Sequence, residues 1–159
     1  MTGKIAILFV CLGNICRSPL AEAAFRREAE RAGLEAQTDS AGTGHWHVGA
    51  PPDRRAQAVA RSNGIEIGGY RARQVSQGDF RRFTHILALD RENLAVLRRL
   101  RPDDARAELS LLLDHVEGRE GRPVADPYYG DEAGFDETWA DVSMGAQALV
   151  RRLNEPSGR

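Results

Sequence analysis

The period of the hydrophobic pattern changes several times along the chain, and each change marks an element. KIAILFV (4–10) is an apolar run behind one lysine, the pattern of a strand buried on both faces of a parallel sheet. From Pro19 the period becomes helical: Ala21, Ala24, Phe25, Ala29 and Ala32 share one stripe, and Gly33 ends it. Ser18 is placed as the N-cap of this helix, with Pro19 at its first position. EAQTDS (35–40) reads as a weaker, polar strand suited to a sheet edge, and 41–52 as a loop. Helix signals resume at Asp53 and stop at Asn63-Gly64. THILALD (84–90) predicts a second buried strand, and 91–101 a helix with Leu94, Leu97 and Leu100 on one face and Pro102 behind it. AELSLLL (107–113) predicts a further strand, followed by a loop rich in Gly, Asp and Pro to about residue 133. Phe135, Trp139, Val142, Ala146, Leu149, Val150 and Leu153 then fall at the spacing of a last helix.

Strands alternating with helices predict an α/β fold: a single domain, a four-stranded parallel sheet with helices on both faces and right-handed crossovers. The length of 159 residues suits one core. The expected domain is 1–155, with 156–159 as a frayed tail, and no repeat, low-complexity tract or linker interrupts it. Ligands of such sheets bind beyond the carboxyl ends of the strands, where the first apolar run delivers Cys11.

Composition narrows the partners. The formal charge is −1, so no global basic field argues for nucleic acid. Charge is uneven: residues 103–141 carry twelve acids against three arginines, and Lys4 is the one lysine. No apolar run approaches the ~20 residues of a membrane span. IAILFVCL is followed by no small-residue cleavage site, so no signal segment is assigned to it. Two cysteines make no disulfide framework. The expectation is a cytoplasmic monomer with reduced thiols and no membrane partner.

The chemistry concentrates in VCLGNICRSP (10–19). A loop between a buried strand and a helix start turns backbone N–H groups and the positive end of the helix dipole towards one point, which suits an anion. Gly13 lets backbone pass close to a ligand, Asn14 tolerates left-handed dihedrals, and Arg17 offers a planar fork to two phosphate oxygens. A cysteine beside such positive charge is a readily ionised nucleophile, since thiol pKa values there fall from ~8.5 to about 3.5–7.5. No G-x-x-x-x-G-K-[ST] is present, which excludes a nucleotide P-loop. Two thiols without further ligands cannot close a zinc shell.

This stretch resembles the C-x5-R-[ST] signature of the low-molecular-weight protein tyrosine phosphatases. The resemblance extends to DSAGT (39–43), PPD (51–53), ARQ (72–74), LALDRENL (87–94) and DPYYG (126–130), and so over almost the whole chain. It implies Cys11 as nucleophile, Arg17 as phosphate clamp and Asp126 as general acid, then base for the attacking water. It further implies Ser18 as donor to the thiolate and Asn14, with Ser40 beside it, as the residue that sets the loop's shape. Leu12, Gly13 and Ile15 would line the phosphate pocket, and Tyr128 and Tyr129 would wall a slot for an aromatic ring. Trp46 stacks on the substrate or covers core. Cys16 reads either as a small core residue or, as the resemblance implies, as a thiol that pairs reversibly with Cys11 on oxidation. Many relatives carry histidine where Tyr70 stands, supporting the loop asparagine; the resemblance thus implies either that the Tyr70 phenol takes on part of that loop support or that the Asn14–Ser40 network differs in this chain. His45, His47 and His85 read as surface or supporting residues.

The implied reaction is hydrolysis of phosphotyrosine in protein substrates, releasing inorganic phosphate, with no cofactor and no metal. Relatives that act on phosphoarginine carry threonine where this chain has Ile15, which favours a phenyl phosphate. An arsenate reductase with its own thiol relay is excluded by the lack of a third cysteine. A phosphopeptide-binding module would be expected to lose the nucleophile or the acid, and both are present.

Overall fold

The computed structural model describes residues 4–155; the tail expected at 156–159 lies outside the described residues. Strand β1 (Ile5–Cys11) leads to α1 (Arg17–Ala32), β2 (Ala36–Gly42), α2 (Arg54–Ser62), a one-turn α3 (Asp79–Arg82), β3 (His85–Ala88), α4 (Arg91–Leu100), β4 (Glu108–Leu111), a 3-10 turn (Leu112–His115) and α5 (Glu132–Asn154). The four strands lie in the order β2-β1-β3-β4 and all pair in parallel.

The unbroken apolar run of β1 follows from its central place. Ile7, Phe9 and Cys11 enter a core shared with Phe25 of α1, Val59 of α2 and Val142 of α5. Ala6, Leu8 and Val10 enter a second core with Phe80, Phe83, Leu94 and Leu97 on the opposite face. Alternate side chains of one strand are thus committed to different cores. β2 is an edge strand, registered from Ile5↔Ala36 to Cys11↔Gly42, which explains its polar composition.

Helix α1 leaves β1 towards the first core and α4 leaves β3 towards the second. The sheet therefore changes winding direction between β1 and β3, and a crevice opens at their carboxyl ends. Cys11 closes β1 there, and Asp90 follows β3 on the other side.

Several boundaries depart from the periodicity. Ser18 is not the N-cap of α1: the helix starts at Arg17, Cys16 takes the cap position, and no side chain caps it. The reason is burial, because the Ser18 hydroxyl is spent inside the protein on Cys11 and Asn14. Pro19 still falls in the first turn, where a missing N–H leaves no helical bond unmade. β3 and β4 are shorter than their apolar runs. After β3 the Asp90 side chain accepts from Asn93 N (2.7 Å) and starts α4. After β4 Asp114 accepts from Leu111 N (3.0 Å) and turns Leu112 and Leu113 into the 3-10 turn.

Candidate active site

Residues 12–16 link β1 to α1 as a tight loop around Asn14. Asn14 has φ 60°, the one positive value among the described non-glycine residues. Its amide is used at both ends: Nδ2 donates to Ser18 Oγ (2.8 Å) and Ser40 Oγ (2.9 Å), and Oδ1 accepts from Arg73 N (3.0 Å). Its own backbone N–H points at Cys11 Sγ (3.3 Å). These bonds hold a left-handed conformation that costs a non-glycine residue about 1–3 kcal/mol. The end of β2 braces the loop from outside, with Thr43 N donating to Cys11 O (2.9 Å) and Gly44 N to Leu12 O (2.9 Å). The approach is close enough that a Cβ on Gly42 would stand 2.7 Å from the Leu12 carbonyl.

Ser18 Oγ lies 3.0 Å from Cys11 Sγ. Because Ser18 already accepts from Asn14, its own proton is free to go to the sulfur. Both cysteines are free thiols and both are buried. Burial, with Asp53, Cys11 and Asp126 adding to it, pushes the Cys16 thiol far above its ordinary value.

Arg17 comes from the first residue of α1, and its side chain is 4% exposed. Nη1 donates to Asp90 Oδ2 (2.7 Å) and Val124 O (3.0 Å), and Nη2 lies 3.5 Å from Asp126 Oδ2. Burial disfavours its charge, but Cys11, Asp90 and Asp126 outweigh burial and raise its pKa. Asp90 does two jobs, pairing with Arg17 through Oδ2 and capping α4 through Oδ1.

A pocket of ≈ 330 Å³ opens over this loop. The loop contributes Cys11, Leu12, Gly13, Ile15, Cys16 and Arg17; the segment after β2 contributes Trp46 and His47; the loop before α5 contributes Asp126, Tyr128 and Tyr129. Asp126 Oδ1 accepts from Tyr128 N (3.1 Å), leaving Oδ2 towards Arg17. The Tyr128 and Tyr129 rings meet edge to face at 4.9 Å. Arg55 of α2 holds this loop by donating to Tyr128 O (2.9 Å) and Gly130 O (3.1 Å) while Asp53 anchors it (3.0 Å). Among the described residues no group of three His, Cys, Asp or Glu converges as a metal site.

The structure thus brings Cys11, Leu12, Gly13, Ile15, Cys16, Arg17, Trp46, Asp126, Tyr128 and Tyr129 to one pocket, with Asn14, Ser18 and Ser40 bonded beneath it. Tyr70 corrects the expectation. Its hydroxyl accepts from Arg26 (2.7 Å), and the Asn14 carbonyl is held by the Arg73 backbone instead. Sequence reasoning assigned no role to Asp90 or Arg55 and kept His47 out of the pocket. An acid directly after an apolar strand was a usable signal for Asp90. His47 and Arg55 carry no local signal, since their partners lie far along the chain. Gly13 and His47 fit each other: a Cβ at Gly13 would stand 3.0 Å from the His47 ring.

A parallel α/β sheet with a cysteine, an arginine and an acid at its switch point defines a phosphate-handling enzyme. Comparison with known proteins agrees. The family profile "Low molecular weight phosphotyrosine protein phosphatase" matches residues 6–158. The chain is 47% identical over 156 residues to the low molecular weight phosphotyrosine protein phosphatase of Schizosaccharomyces pombe, covering 96% of this chain and 99% of that one. It is 42% identical over 153 residues to the low molecular weight protein-tyrosine-phosphatase YfkJ of Bacillus subtilis, covering 95% and 97%. The crystal structure of YfkJ from Bacillus subtilis superposes with a TM-score of 0.89 at 41% identity, covering 97% of each chain. The crystal structure of a Drosophila arginine phosphatase superposes equally well, with a TM-score of 0.89 at 28% identity over 95% of this chain and 99% of that one. The chain belongs to the low molecular weight protein-tyrosine phosphatase family and is an enzyme of that class. No helix among the described residues is long and apolar enough to cross a membrane.

Proposed function

We propose that this enzyme hydrolyses phosphotyrosine in protein substrates through a cysteinyl-phosphate intermediate, without a metal. The observation that carries the reading is the convergence of Cys11, Arg17 and Asp126 on one pocket at the end of β1. The Cys11 thiolate attacks phosphorus in line. Arg17 and the N–H groups of the loop hold the equatorial oxygens, supplying the positive charge that the transition state needs. Asp126, half-exposed on a loop tied down by Arg55, hands its proton to the leaving phenol. The same carboxylate then takes a proton from water, which attacks the cysteinyl phosphate and frees inorganic phosphate. Ser18 donates to the sulfur throughout, as nucleophile and as leaving group. Tyr128 and Trp46 flank the substrate ring.

Phosphoarginine is the second reading, favoured by the likeness to the Drosophila arginine phosphatase. Ile15 supports the phenyl ester over it, because an apolar side chain on the pocket wall suits a ring better than a cationic guanidinium. The reading extends to a cytoplasmic monomer with residues 1–155 as its domain. It includes reversible Cys11–Cys16 pairing under oxidation, which Cys16→Ser should abolish as a route of recovery from peroxide.

The test is hydrolysis of para-nitrophenyl phosphate, with chelator and reductant present, by the parent, Cys11→Ser and Asp126→Ala. Cys11→Ser should be inactive, and Asp126→Ala should lose about 10²–10⁴-fold in rate. A parent indifferent to Cys11→Ser would refute the mechanism. An inactive parent that still binds phosphotyrosine would make it a capture module. Phosphotyrosine and phosphoarginine peptides compared side by side separate the two substrate readings.

A further inference from the structure

Residues 72–75 run as a strap past the end of β2, outside the four strands and joined to them by the isolated bridge Gly42↔Gln74. Val75 N donates to Gly42 O (2.8 Å), and Gly42 N donates to Arg73 O (2.8 Å). The strap reaches the nucleophile loop through Arg73 N, which donates to Asn14 Oδ1 (3.0 Å). The Arg73 side chain points the other way and anchors the strap. All three of its guanidinium nitrogens meet a carboxylate: Nη1 and Nη2 donate to Asp79 Oδ2 and Oδ1, and Nε to Asp39 Oδ2, each at 3.0 Å. Asp79 is buried at the start of α3, and its Oδ2 also accepts from Ser76 N (2.8 Å). A two-pronged pairing of this kind fixes orientation as well as distance. Neither Arg73 nor Asp79 lines the pocket.

The bonds close a ring beneath the loop. Asn14 Oδ1 meets Arg73 N, Arg73 Nε meets Asp39, and Ser40, the next residue of β2, accepts from Asn14 Nδ2 (2.9 Å). Asp39 Oδ1 accepts from Ser40 N (2.8 Å) and so holds that serine as well. The second Nδ2 proton goes to Ser18 Oγ (2.8 Å), which leaves the Ser18 proton for Cys11 Sγ (3.0 Å). The rotation of one amide, that of Asn14, thus decides where the Ser18 hydroxyl points. Arg73 N is the donor that holds the oxygen of this amide.

We propose that Arg73, clamped by Asp79, is a positioning residue for Cys11: it fixes the strap whose N–H sets the Asn14 amide, and through Asn14 and Ser18 keeps a hydrogen bond aimed at the sulfur. This rests on the reading of Cys11 as the reactive thiol of the site. Loss of the clamp lets the strap drift from Asn14, the amide turns more freely, and the Ser18 bond to the thiolate slackens with it.

The experiment is the rate of iodoacetamide alkylation of Cys11 against pH, in a Cys16→Ser background so that a single thiol reacts. Asp79→Asn keeps the size of the side chain and loses the two-pronged pairing. The midpoint of its profile should rise by about one pH unit, since a bond to a charged acceptor is weakened. The sign is diagnostic, because removing a negative charge would by its field alone lower the midpoint. Arg73→Lys keeps the positive charge but not the fork, and its midpoint should rise too. Glu108→Gln breaks the ion pair with Arg152 (2.9 Å) at the amino end of β4, and should leave the midpoint in place. A midpoint that is unmoved or lower in Asp79→Asn overturns the proposal. So does a parent-like midpoint in Arg73→Lys, or an equal rise in Glu108→Gln. Alkylation needs no turnover. Failure of the phosphatase reading would show as absent hydrolysis with the shifts intact, and failure of the positioning role as unmoved midpoints in an active enzyme.

Discussion

Asp90→Asn isolates one charge in the site. Asparagine ranks with aspartate as an N-cap, so the start of α4 at Asn93 keeps its acceptor. What disappears is the negative charge 2.7 Å from Arg17 Nη1, beside a guanidinium that is 4% exposed. Removing one partner of a buried ion pair costs about 3–5 kcal/mol. Asp90 is itself 22% exposed and Asp126 stands 3.5 Å from Nη2 as a reserve partner. Both soften the loss, to about 2–3 kcal/mol by the same reasoning. For a domain of this size that lowers Tm by about 4–12 °C. A phosphate ion in the pocket would take over as partner of Arg17, so added phosphate should raise the Tm of the variant more than that of the parent. Thermal and urea unfolding at neutral pH, with and without inorganic phosphate, measure both effects. A variant as stable as the parent, or an equal phosphate increment in the two proteins, would refute the account of Arg17 as a buried cation in need of a partner.

Arg55→Ala frees the carbonyls of Tyr128 and Gly130 and so loosens the loop that carries Asp126. Hydrolysis of phenyl phosphate, whose poorer leaving group depends most on a proton, should fall roughly tenfold or more and para-nitrophenyl phosphate by a smaller factor, while Cys11 alkylation changes little; equal losses on both esters would contradict it. Glu22→Gln has a consequence for stability. The buried carboxyl is pushed up from 4.5 to about 7, so between those values the native state binds more protons than the unfolded chain. Parent stability therefore declines as pH rises through this window, and the glutamine variant, which binds no proton there, gains on it by an amount on the order of 3 kcal/mol above pH ~8. Urea unfolding from acid to mildly alkaline pH reads the difference, and a pH-independent gap between the two proteins would exclude it.

The extent to which the site could be read in advance follows from how local each interaction is. Cys11, Asn14 and Arg17 lie within one loop, so spacing and residue type were enough to place them: the left-handed φ of Asn14 is a conformation that asparagine tolerates. Ser18 was assigned to the loop but also mistaken for a cap, because a serine before a proline at a helix start has two uses and only its burial against Cys11 chooses between them. Tyr70 was assigned to loop support from its alignment with a histidine. Its longer side chain instead delivers the hydroxyl to Arg26. The single turn α3 offers too few residues for a period to show, and Asp79 holds it by accepting from Ser76 N (2.8 Å) and from Arg73.

The order and type of the main elements, the buried central strand and the nucleophile loop were determined by the sequence alone, since each depends on neighbours within a few residues: an apolar run, a helical stripe, a cap, a glycine. The pairing of Arg17 with Asp90 and Asp126, the grip of Arg55 on the acid's loop, the place of His47 in the pocket wall and the contact of Glu22 with Thr38 were decided only by the tertiary structure. Arg17 and Asp90 are brought together by the pairing of β1 with β3, and Glu22 and Thr38 by the packing of α1 on β2. Hydrogen bonds and ion pairs act over a few ångströms, so partners that are distant along the chain become partners only after the sheet has set the distance between them.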